Sequence, residues 1–177
     1  MTTSTPPVSS HLGAHGADQT PQRAGPVRRF LGLPAAAVVG LAALGLPRVV
    51  LHDFGVLTGG SVVAFLLAVL PLVAWVVVAT RPRVRAPFLA LVATGAVHGV
   101  LLAATHQLLW TRAFDGATPR LGDNLADLDP ELQDVVLRGA AVFSGMHTGL
   151  ALGVLTGAVA WAIVRRRRRL AALPSSR

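Results

Sequence analysis

Four long apolar segments limit what this chain can fold into. They occupy about residues 30–51, 60–80, 87–110 and 138–164, and polar or arginine-rich stretches separate them. A helix needs about 20 apolar residues to cross the hydrocarbon core of a bilayer. Each segment meets that length, so the sequence predicts an all-α integral membrane protein built as a four transmembrane helix bundle.

Composition agrees with a membrane protein and excludes several kinds of site. Of the 177 residues, 53% are hydrophobic and only 14% are charged, which is apolar for a soluble domain. The absence of cysteine excludes disulfides, thiolate metal sites and cysteine nucleophiles. All 16 basic side chains are arginine in a background rich in Ala, Val, Leu and Gly, which indicates the codon usage of a high-GC bacterial genome.

The arginines lie near the ends of the apolar segments, which predicts an orientation rather than a nucleic-acid partner. Arginines flank the first segment, occur three times in the 81–86 turn and follow the last segment. The charged residues of the 111–137 loop, in contrast, are mostly Asp and Glu. Because cytoplasmic loops carry the excess of arginine, both termini should be cytoplasmic and the loop external, in the plasma (inner) membrane. Residues 1–28 read as a disordered tail and 166–177 as a basic tail.

The basic run after the last segment has two interpretations. It is a stop signal that fixes the topology, and it would also attract anionic lipid head groups of the cytoplasmic leaflet. The residues concerned are Arg165, Arg166, Arg167, Arg168 and Arg169.

The loop between the third and fourth segments is expected to be structured. Asp129, Pro130 and Glu131 match the N-cap, N1 and N2 positions of a helix, and apolar residues from Leu121 to Val135 recur at helical spacing. The last helix is therefore expected to begin near Pro130, with a short amphipathic cap over the external face. At the end of the first segment, Arg48 and Asp53 are expected to form an interfacial ion pair.

The third segment has a predicted inner face. At about 100° per residue, its threonines, glycines and histidines from 94 to 106 fall within one stripe of ~140°. Within that stripe, Gly95-x-x-x-Gly99 would let a neighbouring helix approach closely. The polar members are Thr94, His98, Thr105 and His106.

The fourth segment carries glycine on one side and a histidine on the other. The ladder Gly145, Gly149, Gly153, Gly157 drifts around one face, and His147 lies about 160° from its centre. Both faces call for protein contact, so we expect His147 to look into the bundle or a pocket. The glycine ladder is expected to be a helix-packing seam, and the leading structural hypothesis is a homo-oligomer or docking onto a membrane partner protein.

Histidines collect in the external half of the predicted bundle, and three interpretations remain open. His98, His106 and His147, with His52 at the surface, could hydrogen-bond carbonyl or hydroxyl groups across helices. They could bind haem or a transition metal, although no helix carries a His-x-x-x-His or Glu-x-x-His pair. They could form a proton or ion path, although no buried carboxylate is evident beside them.

No motif for soluble enzyme chemistry occurs, neither a phosphate-binding loop, a dinucleotide fingerprint, a Gly-x-Ser-x-Gly elbow nor a zincin helix. The sequence therefore favours a non-enzymatic oligomeric or accessory membrane component that packs through the glycine ladder. The alternative is a haem-binding, metal-binding, or proton- or ion-handling membrane protein built on the three histidines.

Overall fold

A computed structural model describes residues 26–57, 60–114, 116 and 119–173. These residues form helices, turns and a single 3-10 turn at Asp123–Leu125, and no strand occurs among them. The helices are α1 (Pro26–Leu31), α2 (Ala35–Ala43), α3 (Leu46–Asp53), α4 (Val62–Ala79), α5 (Pro87–Leu108), α6 (Trp110–Ala113) and α7 (Pro130–Ala171). The disorder predicted for residues 1–28 concerns mainly residues outside this description.

Four helical stretches are long and apolar enough to cross a membrane, as the sequence predicts. They are α2 with α3, α4, α5 and α7. The chain is therefore an all-helical, multi-pass membrane protein. Below, the loop end is the end of the bundle that carries residues 109–137, and the arginine end is the one that carries residues 81–86 and 165–173.

The first span is broken where a single helix over 30–51 was expected. α2 ends at Ala43 and α3 begins at Leu46. Pro47 has no N–H, and its ring would clash with the Ala43 carbonyl in a continuous helix, so the helix stops and restarts. An earlier break lies at Gly32, whose φ of 79° suits glycine. A Cβ there would stand 2.8 Å from the backbone nitrogen of Arg85.

The last helix begins at Pro130, as the capping pattern predicts, and continues past the expected end at 164. α7 runs unbroken for 42 residues, which is about 63 Å at 1.5 Å per residue. Asp129 caps its start by accepting a hydrogen bond from the Glu131 N–H at 2.9 Å, and Pro130 takes the first position. The expected amphipathic cap does not form separately, because Pro130 already begins α7. At the other end the arginines, good helix formers, continue the helix to Ala171.

The glycine ladder packs inside the chain, against the glycines of α5. α5 and α7 form the most extensive helix pair of the bundle. A Cβ at Gly95 would lie 2.6 Å from the Gly153 Cα, and one at Gly149 would lie 2.5 Å from the Gly95 carbonyl oxygen. Gly145 and Gly157 continue the same contact toward the two ends. The hypothesis that this seam faces a second subunit is therefore corrected, since α5 already occupies it.

An apolar core lies in the arginine half of the bundle. Trp75 and Leu91 are almost completely buried there, and Ala160 closes against them from α7. The same cluster contains Leu33, Val38, Leu41, Ala79, Val84 and Ala90. The buried threonines Thr94 and Thr156 lie next to this core and bond carbonyls of their own helices, whereas the buried Asp53 and His98 lie toward the loop half.

Candidate functional site

A cavity of about 450 Å³ opens in the loop half, between α3, α4, α5 and α7. Two further hollows, of about 430 Å³ and 220 Å³, adjoin it at the loop end. All three share His52 and Asp53 among their lining residues, and His106 lines the two larger ones. The convergence of three hollows on one carboxylate makes this cluster the candidate site.

Two irregularities of the helical backbone face the main cavity. Gly45, at the break between α2 and α3, lines it from one side. On the other side lie Pro71, inside α4, and Leu67, whose carbonyl would have bonded the N–H that proline lacks. Irregular backbone at membrane depth is tolerated where it lines a cavity, and interrupted helices often frame binding sites there.

Two side chains of the cavity wall bond backbone carbonyls at the α2–α3 break. The indole Nε1 of Trp75 donates to the Leu41 carbonyl at 2.7 Å, and the ring Nδ1 of His98 lies 2.8 Å from the Ala42 carbonyl. A carbonyl only accepts, so the Nδ1 of His98 carries the hydrogen. The two rings meet edge to face at 5.6 Å. His98 thus holds the broken helix in place, which matches the cross-helix hydrogen-bond interpretation.

Gly45 is a glycine because the His98 ring occupies the space where a side chain would stand. A Cβ at this position would lie 2.6 Å from the His98 Cε1. The break, the histidine and the cavity wall are therefore one local arrangement.

Asp53 ends α3 with its carboxylate buried, the side chain being 5% exposed. One oxygen, Oδ1, lies 3.5 Å from the Nδ1 of His52, and the other, Oδ2, lies 3.2 Å from the Nδ1 of His106. Although Oδ2 is within ion-pair distance of that ring, the contact lacks hydrogen-bond geometry, and the oxygen has no hydrogen-bond partner among the described residues. A buried carboxylate oxygen without a hydrogen bond is rare and calls for an explanation.

No permanent cation neutralises Asp53 within the described part of the chain. Its ion-pair neighbours there are the two histidines, which are charged only when protonated. Arg48 lines the same cavity, but the expected ion pair between Arg48 and Asp53 does not form among the described residues. The charge of the cluster therefore depends on where a proton resides.

His147 does not join the other histidines. It is exposed on the face of α7 opposite the glycines, and its ring stacks on Phe143 at 6.0 Å. The expectation that it looks into the bundle is wrong, and its neighbour Thr148 lines the cavity instead. His98 and His106 share the cavity. Among the described residues, no group of three or more His, Asp or Glu is placed to hold a metal ion, and the structure does not bring His98, His106 and His147 together.

The buried carboxylate was missed, yet the sequence contains a signal for it. Asp53 is the only acidic residue between Asp18 and Asp115. It comes directly after the first apolar segment, in the sequence "RVVLHD". Ionisable residues within membrane spans are rare and are functional candidates by default. The expectation that no buried carboxylate accompanies the histidines is corrected accordingly.

The fold and the site together define a class of protein, a multi-pass membrane protein with a histidine–carboxylate cluster at one end of its bundle. No protein-family model, curated protein or solved structure matches the chain.

Proposed function

We propose that this chain is a proton-handling membrane protein that binds and releases a proton at Asp53, through the cavity at the loop end. One observation carries the proposal: the Asp53 carboxylate is buried, has an oxygen without a hydrogen bond to any described residue, and lies 3.2 Å from the His106 ring. A carboxylate and an imidazole this close are coupled, because a proton bound by one changes the charge that the other meets, and a turn of the ring would let them share it.

The charge of the site favours a proton over a larger cation. Burying an uncompensated carboxylate is expensive, and a proton on either the carboxylate or a neighbouring imidazole removes that penalty. A metal ion would need several ligands, whereas the ion-pair neighbours of Asp53 in the described part of the chain are only His52 and His106. A proton needs no set of ligands around it, because it binds directly to one carboxylate oxygen or one ring nitrogen.

Exchange is proposed to occur from the loop end. The cavity and both neighbouring hollows surround Asp53 there, whereas the arginine half contains the apolar core around Trp75 and Leu91. His98 lies between the two regions and is committed to the Ala42 carbonyl. The arrangement supports uptake and release on one side rather than a continuous path across the bundle.

Nuclear magnetic resonance of labelled protein in lipid nanodiscs tests the shared proton. We expect the carboxyl carbon signal of Asp53 and the ring nitrogen signals of His106 to change together as the pH is varied, because one proton moves between them. Asp53→Asn should alter the pH response of His106. The exposed His147 is the internal control, and its response should be the same in both proteins.

Two results would overturn the proposal. One is an Asp53 carboxyl signal that does not respond to pH at all while the protein stays folded. The other is a His106 response identical in the wild type and in Asp53→Asn.

A second candidate, a non-enzymatic accessory or oligomeric membrane component, is favoured by His147. An imidazole on the exposed face of a spanning helix finds no hydrogen-bond partner among lipid chains, and a second protein would supply one. Phe143, Val154 and Trp161 are exposed on the same helix. Because the glycine seam is filled by α5, assembly would use this opposite face.

Cysteine crosslinking tests the second candidate, since the native chain has no cysteine. In native membranes His147→Cys should crosslink through this face, and Leu66→Cys, exposed on α4, should not. Equal crosslinking at both positions, or none at either, excludes assembly through the His147 face.

The setting of the protein is also proposed here. The arginine-rich segments support cytoplasmic termini and an external acidic loop, in the plasma membrane of a high-GC bacterium. The site at Asp53 would then face the external side.

A further inference from the structure

A separate hollow, at the arginine end, lies far from the histidine cluster. It has a volume of about 540 Å³ and lies between the start of α5 and the last turns of α7. Gly157 of α7 packs against Phe88 of α5, where an added Cβ would lie 3.0 Å from the Phe88 carbonyl oxygen. The end of the glycine seam thus fixes the distance between the two walls.

The rim of this groove is cationic. Arg165, Arg168 and Arg169 line it from α7, at a spacing of three and four residues that places them on one helix face. Arg85 lines it from the turn before α5. Neither α5 nor the part of α7 after Asp134 contains Asp or Glu, so the charged side chains that these two helices bring to the groove are all arginines.

The floor of the groove is apolar. Phe88 and Leu89 form it on the α5 side, and Trp161 and Val164 form it on the α7 side. The Arg165 guanidinium lies over the Trp161 ring at 4.9 Å, which holds the charge at the boundary between rim and floor. A cationic rim above an aromatic and aliphatic floor matches a molecule that is anionic at one end and hydrocarbon at the other.

We propose that this groove is a binding site for an anionic phospholipid. The arginines bind the head-group phosphate, for which the planar guanidinium is well suited, and an acyl chain lies along Phe88 and Trp161. Not all five arginines of the run take part: Arg165, Arg168 and Arg169 line the groove, whereas Arg166 and Arg167 do not. This division separates a specific site from a general attraction of the basic run to an anionic membrane.

Native mass spectrometry of the purified full chain tests the site with two matched double variants. The probes are phosphatidylglycerol, zwitterionic phosphatidylcholine and the water-soluble head group glycerophosphoglycerol. Arg165→Gln with Arg168→Gln removes two groove charges, and Arg166→Gln with Arg167→Gln removes two charges outside it. We expect the wild type to retain phosphatidylglycerol preferentially, with about tenfold weaker binding in the first variant and near wild-type binding in the second.

Three outcomes would overturn the site: no preference for phosphatidylglycerol, equal losses in the two double variants, or head-group binding as tight as that of the lipid. The first two mean bulk attraction to the run, and the third means that the apolar floor is not used. If the groove double variant does not fold, the single changes Arg168→Gln and Arg167→Gln make the same comparison with one charge each. Lipid binding at this end and proton binding at Asp53 are measured separately, so either can fail alone.

Discussion

Helix α5 makes two contacts of opposite kind. Toward α7 it meets another backbone directly, glycine against glycine, with no room for a single added carbon at Gly95 or Gly149. Toward α3 and α4 it is held at a distance by side chains, and a cavity of about 450 Å³ separates them. His98 and His106 lie on this second side.

The difference shows how a small bundle can be rigid and still hold buried polar groups. Small residues let helices pack closely, and close packing fixes α5 in position and rotation. The opposite side is built from a broken helix and a helix with an internal proline, which cannot pack so closely. Side chains such as His98 and Trp75 then bond backbone carbonyls at the break, and space remains for Asp53.

The largest effect is expected from a methyl group placed in the seam. Gly149→Ala should lower the free energy of unfolding by about 3 kcal/mol, because the new carbon meets the backbone of Gly95 and Gly99, which cannot move aside. Thermal unfolding in detergent, followed by far-ultraviolet circular dichroism, measures the change.

The matched control is Gly139→Ala, in the same helix, where no atom lies near the added carbon. There alanine should stabilise by about 0.5–1 kcal/mol through helix propensity alone. If both substitutions stabilise, α5 and α7 are not in backbone contact and the comparison of the two sides of α5 is lost.

An intermediate effect is expected at the wall of the cavity. Trp75→Phe keeps an aromatic ring but removes the indole hydrogen bond to the Leu41 carbonyl, which then accepts only from the Leu44 N–H, at a cost of about 1 kcal/mol. Trp161→Phe, at a half-exposed indole on α7, should change stability by less than about 0.5 kcal/mol. The same thermal unfolding assay compares them, and equal losses would show that the α2–α3 break does not depend on Trp75.

Much of the glycine seam can be predicted from the sequence, because helical periodicity shows which residues share one face of a helix. The stripe on α5 predicts an inside face, and Thr94, Gly95, His98 and Gly99 are indeed buried. The glycine ladder of α7 predicts close packing, but not whether the partner helix belongs to the same chain. That choice depends on how the four spans are arranged, which helix-by-helix patterns do not encode.

The cavity follows from the sequence only in part. Pro47 lies near the end of an apolar run, and the same letters would fit a helix that ends there or one that breaks and restarts. His147 was placed on the correct side of α7, opposite the glycines, but that side is exposed. Asp53 acquires its role through α5, which brings His106 next to it from 53 positions further along the chain. Such pairing across distant segments is a property of the packed bundle.

The smallest effect on stability, and the most informative for function, is expected from Asp53→Asn. The amide has the size of the carboxylate but no charge to bury, so the free energy of unfolding should stay the same or rise by up to about 1 kcal/mol. Loss of the proposed shared proton without loss of stability would be the pattern of a residue kept for function at some expense of the fold. If unfolding measurements instead show a loss of more than about 1 kcal/mol, then Asp53 and His106 act as a structural ion pair that ties α3 to α5. In that case the Asp53–His106 contact, like the glycine seam, would serve to hold α5 in position, and the cavity would not be a functional site.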